Sequence, residues 1–76
     1  MNRVEIVFKN FDEILSFLNT VDKYDIAMDM KRGRCTVSAK SLLGIMNLGL
    51  NNVIELRVYD ESCEQLMQEI SRYAAA

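Results

Sequence analysis

Residues 40–49, Lys-Ser-Leu-Leu-Gly-Ile-Met-Asn-Leu-Gly, are the stretch of this 76-residue chain that decides the fold. They have the pattern of a short helix that follows a hydroxyl side chain, carries no charge after Lys40 and ends at a glycine. Serine is a preferred N-cap because its hydroxyl oxygen accepts a backbone N–H of the first helical turn. We therefore predict a short helix that begins after Ser41 and is capped by it.

The residues before this stretch predict first a strand and then a helix. Residues 3–9 alternate between apolar and polar side chains, which is typical of a strand with one buried face. Asn10 or Asp12 then offers a cap oxygen for a helix of about three turns. We expect its apolar side chains to pack in the core, and these are Phe11, Ile14, Leu15, Phe17, Leu18 and Val21.

A hairpin is predicted between this helix and Ser41. Apolar and polar residues alternate on both sides of Gly33, and glycine accepts the positive φ that a tight hairpin turn requires. Residues 25–38 therefore form two strands, with Cys35 and the methionines on the side that we expect to be buried.

One more strand and one more helix follow the central helix. Residues 54–59 alternate again. Ser62 with Gln65 three residues later has the form of a capping box at the start of an amphipathic helix. The order is therefore β-α-β-β-α-β-α, which predicts a two-layer α+β sandwich in one domain, residues 1–76, with the helices on one face of the sheet.

Composition narrows the function classes. With 9 basic and 11 acidic residues the net charge is −2, which argues against general nucleic-acid binding. A local basic cluster, Lys31, Arg32, Arg34 and Lys40, is either a solvated hairpin turn or a patch that favours an anionic group.

No apolar run approaches the roughly 20 residues that span a bilayer, and no signal peptide is evident, so we expect a cytoplasmic protein without membrane contact.

The chain has two cysteines and no histidine, so no zinc site can be built from such ligands. Cys35 and Cys63 are interpreted as free, half-buried thiols in a reducing compartment. No nucleophile–base pair, metal-ligand cluster or phosphate-cradling glycine loop is evident, so we predict neither an enzyme nor a cofactor.

In residues 39–49 the chain resembles HPr, the histidine-containing phosphocarrier of the bacterial sugar phosphotransferase system. That family has a close variant of Lys-Ser-Ile-Met-Gly-Val-Met-Ser-Leu-Gly here, and the same order of elements. The resemblance implies an open-faced sandwich with a four-stranded antiparallel sheet. It also marks a departure, because HPr carries phosphate on a histidine in a Gly-x-His-Ala-Arg-Pro loop. Here that connection is Phe8-Lys9-Asn10-Phe11-Asp12-Glu13. Counting back from Ser41 places Asn10 near the histidine position, whereas matching the first strands implies that several loop residues are missing. In either alignment phosphotransfer by an imidazole is excluded.

The resemblance also implies a regulatory role for Ser41. In Gram-positive relatives the matching serine is phosphorylated by an ATP-dependent kinase, and the phosphorylated protein is a corepressor in carbon catabolite regulation. A phosphate there would be favoured by unpaired N–H groups, with Lys40, Arg32 and Arg34 as candidate anion-favouring neighbours. The alternative is that Ser41 only caps the helix.

The apolar residues of the same helix are candidates for partner docking. The residues of HPr that match Leu42, Leu43 and Met46 dock onto partner proteins, and a short helix needs only one side for the core. The alternative is that these side chains belong to the core or to a homodimer interface. Two hypotheses are therefore preferred to a third, a small enzyme. The first is a regulatory HPr-like protein that docks a kinase or a transcriptional regulator, and the second is a plain interaction or dimerisation module.

Overall fold

The computed structural model describes residues 2–75 as a four-stranded sheet covered by three helices. Among these residues no helix is long and apolar enough to cross a membrane. The elements in chain order are β1 (Asn2–Ile6), α1 (Phe11–Val21), β2 (Met28–Arg32), β3 (Cys35–Ser38), α2 (Leu42–Leu48), β4 (Ile54–Val58), α3 (Glu64–Ile70) and a 3-10 turn at Ser71–Tyr73.

The strand order is β1-β4-β2-β3, and every neighbouring pair is antiparallel. Alternate side chains of the two central strands are buried, among them Met30 and Leu56, which are partners in the β2–β4 register. The residues between them, such as Lys31 and Glu55, lie on the opposite, open face of the sheet. The predicted α+β sandwich, its element order and its four-stranded antiparallel sheet are thus confirmed.

Helix α1 begins with a reciprocal cap. The Asn10 side chain accepts the Glu13 N–H at 2.9 Å, and the Glu13 carboxylate accepts the Lys9 N–H at 2.8 Å. The buried side of the helix is Ile14, Phe17 and Val21.

The expectation that all apolar residues of α1 are buried is wrong for two of them. Phe11 is 43% and Leu15 is 39% exposed. The reason is the orientation of the helix, because Ile14, Phe17 and Val21 point into the core and side chains spaced four apart at Phe11 and Leu15 lie on the adjoining flank.

An aromatic cluster packs α1 against the end of the chain. The ring centroids of Phe8 and Phe17 are 5.2 Å apart, and those of Phe17 and Tyr73 are 5.6 Å apart, both in edge-to-face geometry. The Tyr73 hydroxyl donates to the Ser16 hydroxyl at 2.9 Å. Rings in this arrangement contribute beyond their buried area, so they fix α1 against the segment that follows α3.

Two predictions about local structure are corrected. Cys35 is exposed, because it closes the two-residue turn opposite Arg32 at the end of an edge strand, whereas Cys63 is buried; both thiols are free. The capping box at Ser62 is absent. The N-cap residue of helix α3 is Cys63, one residue after Ser62, and its side chain makes no cap hydrogen bond. The Ser62 N–H, which Gln65 would bind in a capping box, donates to the Asp60 carboxylate at 2.8 Å.

The last described residues cover one edge of the sheet. The Val7 N–H donates to the Tyr73 carbonyl at 2.9 Å, and the Ala75 N–H donates to the Glu5 carbonyl at 2.8 Å. Ile6 and Ala74 form an antiparallel bridge between these bonds. The outer edge of β1 is therefore paired with backbone along part of its length, which leaves β3 as the open edge.

Candidate functional site

Ser41 caps helix α2 as predicted. Its Oγ accepts the Gly44 N–H at 3.1 Å, and its backbone carbonyl accepts the Ile45 N–H at 3.0 Å. The side chain is half-buried, with extended backbone geometry of φ −104° and ψ 113°. The hydroxyl oxygen is thus used to satisfy one of the free N–H groups of the first turn.

Gly44 sets the distance between α2 and the sheet. A Cβ at this position would lie 2.8 Å from the Cβ of Val37 in β3, closer than carbon atoms can pack. The absence of a side chain lets the helix rest directly on the edge strand, while Ile45 and Leu48 enter the core. This contact determines which side of the short helix faces outward.

The outward side of α2 is apolar. Leu43 is 79% and Met46 is 47% exposed, while Leu42 is half-buried and packs against the core. Two of the three predicted docking residues are therefore well exposed, and the third lies at the base of the same flank. At this exposure the Leu43 side chain contributes little to the core of the chain.

Helix α1 lies alongside α2 in the antiparallel direction. The Asn51 N–H donates to the Phe8 carbonyl at 2.7 Å, which joins the end of α2 to the start of α1. The Lys40 ammonium donates to the Tyr24 carbonyl at 2.6 Å, which joins the start of α2 to the end of α1. Because both ends are joined, the outward flanks of the two helices adjoin each other.

The exposed residues of α1 lie on the flank nearer to α2. Ser16 contacts Tyr73 and so marks the flank of α1 that faces the end of the chain. Phe11 and Leu15, one turn apart, lie on the opposite flank of the helix. Together with three exposed residues of the α2 region they form what we call the α1–α2 surface: Phe11, Leu15, Leu43, Met46 and Leu50.

Sequence reasoning missed Phe11, Leu15 and Leu50 as members of this surface. A signal was present in α1, where apolar residues cover more of the helix circumference than a helix packed on one side of a sheet needs. The surplus could have indicated a second contact surface. Leu50 carried no such signal, because it follows the helix and its exposure depends on the turn at Asn51, which has a φ of +59°.

The predicted anion-favouring residues are not brought together around Ser41. The Arg32 guanidinium donates to the Leu48 carbonyl at 3.4 Å, at the opposite end of α2. Arg34 is exposed in the hairpin turn, and Lys40 is directed to the Tyr24 carbonyl. Each end of α2 therefore has one cation beside it, Lys40 at its start and Arg32 at its end.

A cluster of polar groups with shifted pKa values joins α1 to α3. A hydrogen bond from the Tyr24 hydroxyl lowers the pKa of Glu69, and the Lys23 ammonium at 3.0 Å lowers it further. The same hydrogen bond raises the pKa of Tyr24. This cluster lies on the α3 side of α1, away from the α1–α2 surface.

A shallow cleft of about 310 Å³ lies at the start of α3, between Asn2, Glu61 and Cys63. The thiol of Cys63 accepts from the Asn2 amide at 3.1 Å and donates to the Asp60 carbonyl at 3.3 Å. Across residues 2–75 the structure contains no group of three potential ligands, from His, Cys, Asp and Glu, that could hold a metal ion. The thiol in this cleft is thus occupied by structural hydrogen bonds.

Comparison with protein-family models and with curated proteins finds no match. Solved structures do match over nearly the whole chain. The structure of HPr-C-His from Thermoanaerobacter tengcongensis has a TM-score of 0.77 at 26% identity, covering 95% of this chain and 89% of that one. The phosphocarrier protein HPr from Bacillus anthracis str. Ames has a TM-score of 0.74 at 22% identity, covering 97% of this chain and 94% of that one.

These comparisons confirm the resemblance that residues 39–49 suggested. They extend it from one helix to the complete order of strands and helices. The connection between β1 and α1 contains no histidine, and its Asn10 side chain caps α1. The chain therefore has an HPr-like fold over nearly its whole length, and its sequence contains no histidine.

Proposed function

We propose that this chain is an HPr-like adaptor or regulatory protein that does not transfer phosphate and that docks partner proteins through the α1–α2 surface. The observation that carries the proposal is the exposure of Leu43, at 79%, among four further exposed apolar side chains on adjoining flanks. Contiguous apolar side chains that rigid elements hold at the surface favour protein binding, because burying them against a partner removes apolar area from water.

The loss of phosphotransfer supports a docking role. The chain contains no imidazole that could accept a phosphoryl group. Asp12 and Glu13, in the first turn of α1, would repel an incoming phosphate at the corresponding loop. Residues 40–49, with Ser41 and the apolar residues after it, are the part of the chain that resembles the HPr sequence, and this supports a docking role for them.

Leu43 and Met46 are expected to contribute most to docking. They lie on α2, whose orientation Gly44 and the buried side chains Ile45 and Leu48 fix before a partner arrives. Apolar side chains on a rigid element lose little conformational entropy on binding. The half-buried Leu42 supports them from below.

The test is capture of partners on the immobilised protein from an extract of the source cells, with quantitative mass spectrometry. We expect Leu43→Asp to abolish capture of the specific partner and Met46→Ser to reduce it about tenfold or more. Tyr59→Ser is the matched control, because Tyr59 is 46% exposed, nearly the same as Met46, and its hydroxyl donates to Asp29 on the open face of the sheet, opposite the helices. Equal capture by all three variants would disprove docking through the α1–α2 surface.

Phosphorylation of Ser41 is the second part of the proposal. The hydroxyl is half-buried and serves as the helix cap, and Lys40 is the adjoining cation. Incubation with an HPr kinase and ATP is expected to add one phosphate, seen by intact mass, that Ser41→Ala does not accept. Absence of phosphate, under conditions that modify a genuine HPr, would remove the kinase from the proposed partners.

The plain interaction module remains the alternative, and the capping hydrogen bond of Ser41 favours it. Ser41→Asp distinguishes the two, since aspartate caps a helix as well as serine but adds a negative charge. A change in partner affinity with Ser41→Asp supports a switch that a transcriptional regulator could read. Unchanged affinity supports the plain module.

A further inference from the structure

We propose that the α1–α2 surface binds a second copy of this chain and forms a two-fold symmetric dimer. This inference rests on the proposed docking role of that surface and names its occupant. It follows from the antiparallel arrangement of α1 and α2 and from the charges at the four helix ends, as follows.

Symmetry allows the apolar side chains to cover one another. Helices α1 and α2 lie side by side, joined at both ends by the Asn51–Phe8 and Lys40–Tyr24 hydrogen bonds. A two-fold axis parallel to the helices, lying between two facing copies, places α1 of one copy over α2 of the other. Phe11 and Leu15 then meet Leu43 and Met46 of the second copy, and the same contacts occur twice.

The charges at the helix ends are complementary under this symmetry. Asp12 lies in the first turn of α1, and Asp22 is its C-cap. Arg32 lies at the end of α2, which the Asn51–Phe8 hydrogen bond joins to the start of α1, and Lys40 lies at the start of α2, beside the end of α1. Rotation about an axis parallel to the helices does not change the height of a residue along that axis. Asp12 therefore meets Arg32 of the second copy, and Asp22 meets Lys40 of the second copy.

The distances along the helices are compatible with these pairs. At 1.5 Å per residue, Asp12 and Asp22 are about 15 Å apart along α1, and the segment from Ser41 to Leu48 is about 11 Å long. The long side chains of Lys40 and Arg32 extend beyond the two ends of that segment and cover the difference. Two aspartates on one helix thus match two cations beside the other.

All four charged side chains can reach a partner, because the two cations each donate one hydrogen bond to a backbone carbonyl of their own copy and have further N–H donors. Each is exposed, and within the described part of the chain the ion pairs join other residues, Lys23 with Glu69 and Arg57 with Glu55. An apolar centre surrounded by charged pairs is the usual anatomy of a specific interface. The accessible surface of the chain is 4724 Å². A standard interface of about 800 Å² per partner would cover roughly a sixth of that surface.

Sedimentation equilibrium tests the dimer, with loading from about 10 µM to about 1 mM. We expect the wild-type chain to pass from monomer to dimer over this range. Leu43→Asp should remain monomeric, because it buries a charge at the centre of the interface. Tyr59→Ser, outside the α1–α2 surface, should dimerise like the wild type. A wild-type chain that stays monomeric at every concentration, or a Leu43→Asp chain that dimerises, overturns the inference.

Charge reversal tests the arrangement of the two copies. Asp12→Lys with Asp22→Lys makes all four positions cationic, and Arg32→Glu with Lys40→Glu makes all four acidic. Each double variant alone should dimerise at least about tenfold more weakly than the wild type, because like charges then face each other at four places. Mixed in equal amounts, the two variants should form a heterodimer, because opposite charges meet again. Absence of that rescue, with circular dichroism showing both variants folded, overturns the arrangement.

The dimer and the proposed docking role can fail separately. If the wild-type chain is monomeric but captures a different protein that Met46→Ser does not capture, the dimer is disproved and the docking role stands. If the wild-type chain is monomeric and Met46→Ser captures the same proteins, both are disproved.

Discussion

The two flanks of helix α1 differ in whether their side chains are paired within the fold or exposed to solvent. On the side of α3 and the end of the chain, polar groups are paired: Ser16 with Tyr73, and Tyr24 with Glu69. On the side of α2, hydrogen bonds join the two helices only at their ends, and the apolar side chains between them reach solvent. The comparison teaches that one helix holds the fold together with one flank and presents a recognition surface with the other.

The largest expected effect separates two phenylalanines of the same helix. Phe17→Ala removes a fully buried ring and should lower the free energy of unfolding by about 3–5 kcal/mol. Phe11→Ala, on the exposed flank, should cost about 1 kcal/mol or less. Urea denaturation followed by circular dichroism measures both. Since a chain of this size has a total stability of about 4–11 kcal/mol, Phe17→Ala should remove a large part of it. Equal losses for the two would contradict the division of α1 into two flanks.

The next effect concerns the seat of α2 on β3. Gly44→Ala should lower the free energy of unfolding by about 1–3 kcal/mol, because its Cβ would meet the Cβ of Val37. An ordinary helical position would instead gain stability from alanine. The control is the same substitution in a Val37→Gly chain, where the obstructing atom is gone and Gly44→Ala should no longer cost stability. A cost that persists in that background would mean that another contact positions α2.

Replacing the cap of α2 should have a smaller effect. Ser41→Ala removes the acceptor of the Gly44 N–H and should cost about 1 kcal/mol in the free energy of unfolding. Ser41→Asp should retain most of the stability, since its carboxylate can accept the same N–H. A loss with Ser41→Asp as large as with Ser41→Ala would show that the hydroxyl does more than cap the helix.

The smallest effect is a pH dependence on the α3 side of α1. The pKa of Glu69 is lowered from 4.5, first by the Tyr24 hydroxyl and then by Lys23. A lowered pKa in the folded state gives stability that is present above pH 4.5 and is lost as the pH falls through the folded-state pKa. Tyr24→Phe removes the larger cause, so its stability should fall less steeply between about pH 6 and about pH 3. Identical pH profiles of the urea midpoint for the two chains would show that the hydrogen bond adds no stability.

The fold could be predicted because the alternation of apolar and polar residues within each strand indicates which side of that strand is buried. The alternation of Ile54, Leu56 and Val58 with charged residues is a local property, and the structure buries all three. The Ser41 cap is local in the same sense. Cys35 was predicted wrongly because its exposure depends on its place beside the hairpin turn of an edge strand, which alternation alone does not reveal. Ser62 was predicted wrongly because the neighbouring Asp60 accepts its N–H and the helix begins one residue later.

Only the α2 part of the candidate site could be predicted from the sequence. Leu43 and Met46 belong to one short helix, so a surplus of apolar residues was visible there. That Phe11 and Leu15 continue the surface depends on the antiparallel placement of α1 beside α2, which no spacing along the chain reveals. The distance of Arg32 from Ser41 also depends on tertiary structure, since the hairpin places Arg32 at the end of α2 that is opposite Ser41.

The segment from Tyr73 to Ala75, paired along β1, has a consequence for aggregation. Two backbone hydrogen bonds and the Ile6–Ala74 bridge occupy an edge that would otherwise offer free N–H and C=O groups to the strand of another molecule. The opposite edge, β3, has only four residues and is followed at once by the turn into α2, so little template remains there. Ending the chain before Ala74 would uncover one side of β1, and the shortened protein is expected to form insoluble strand-paired assemblies more readily than the full chain.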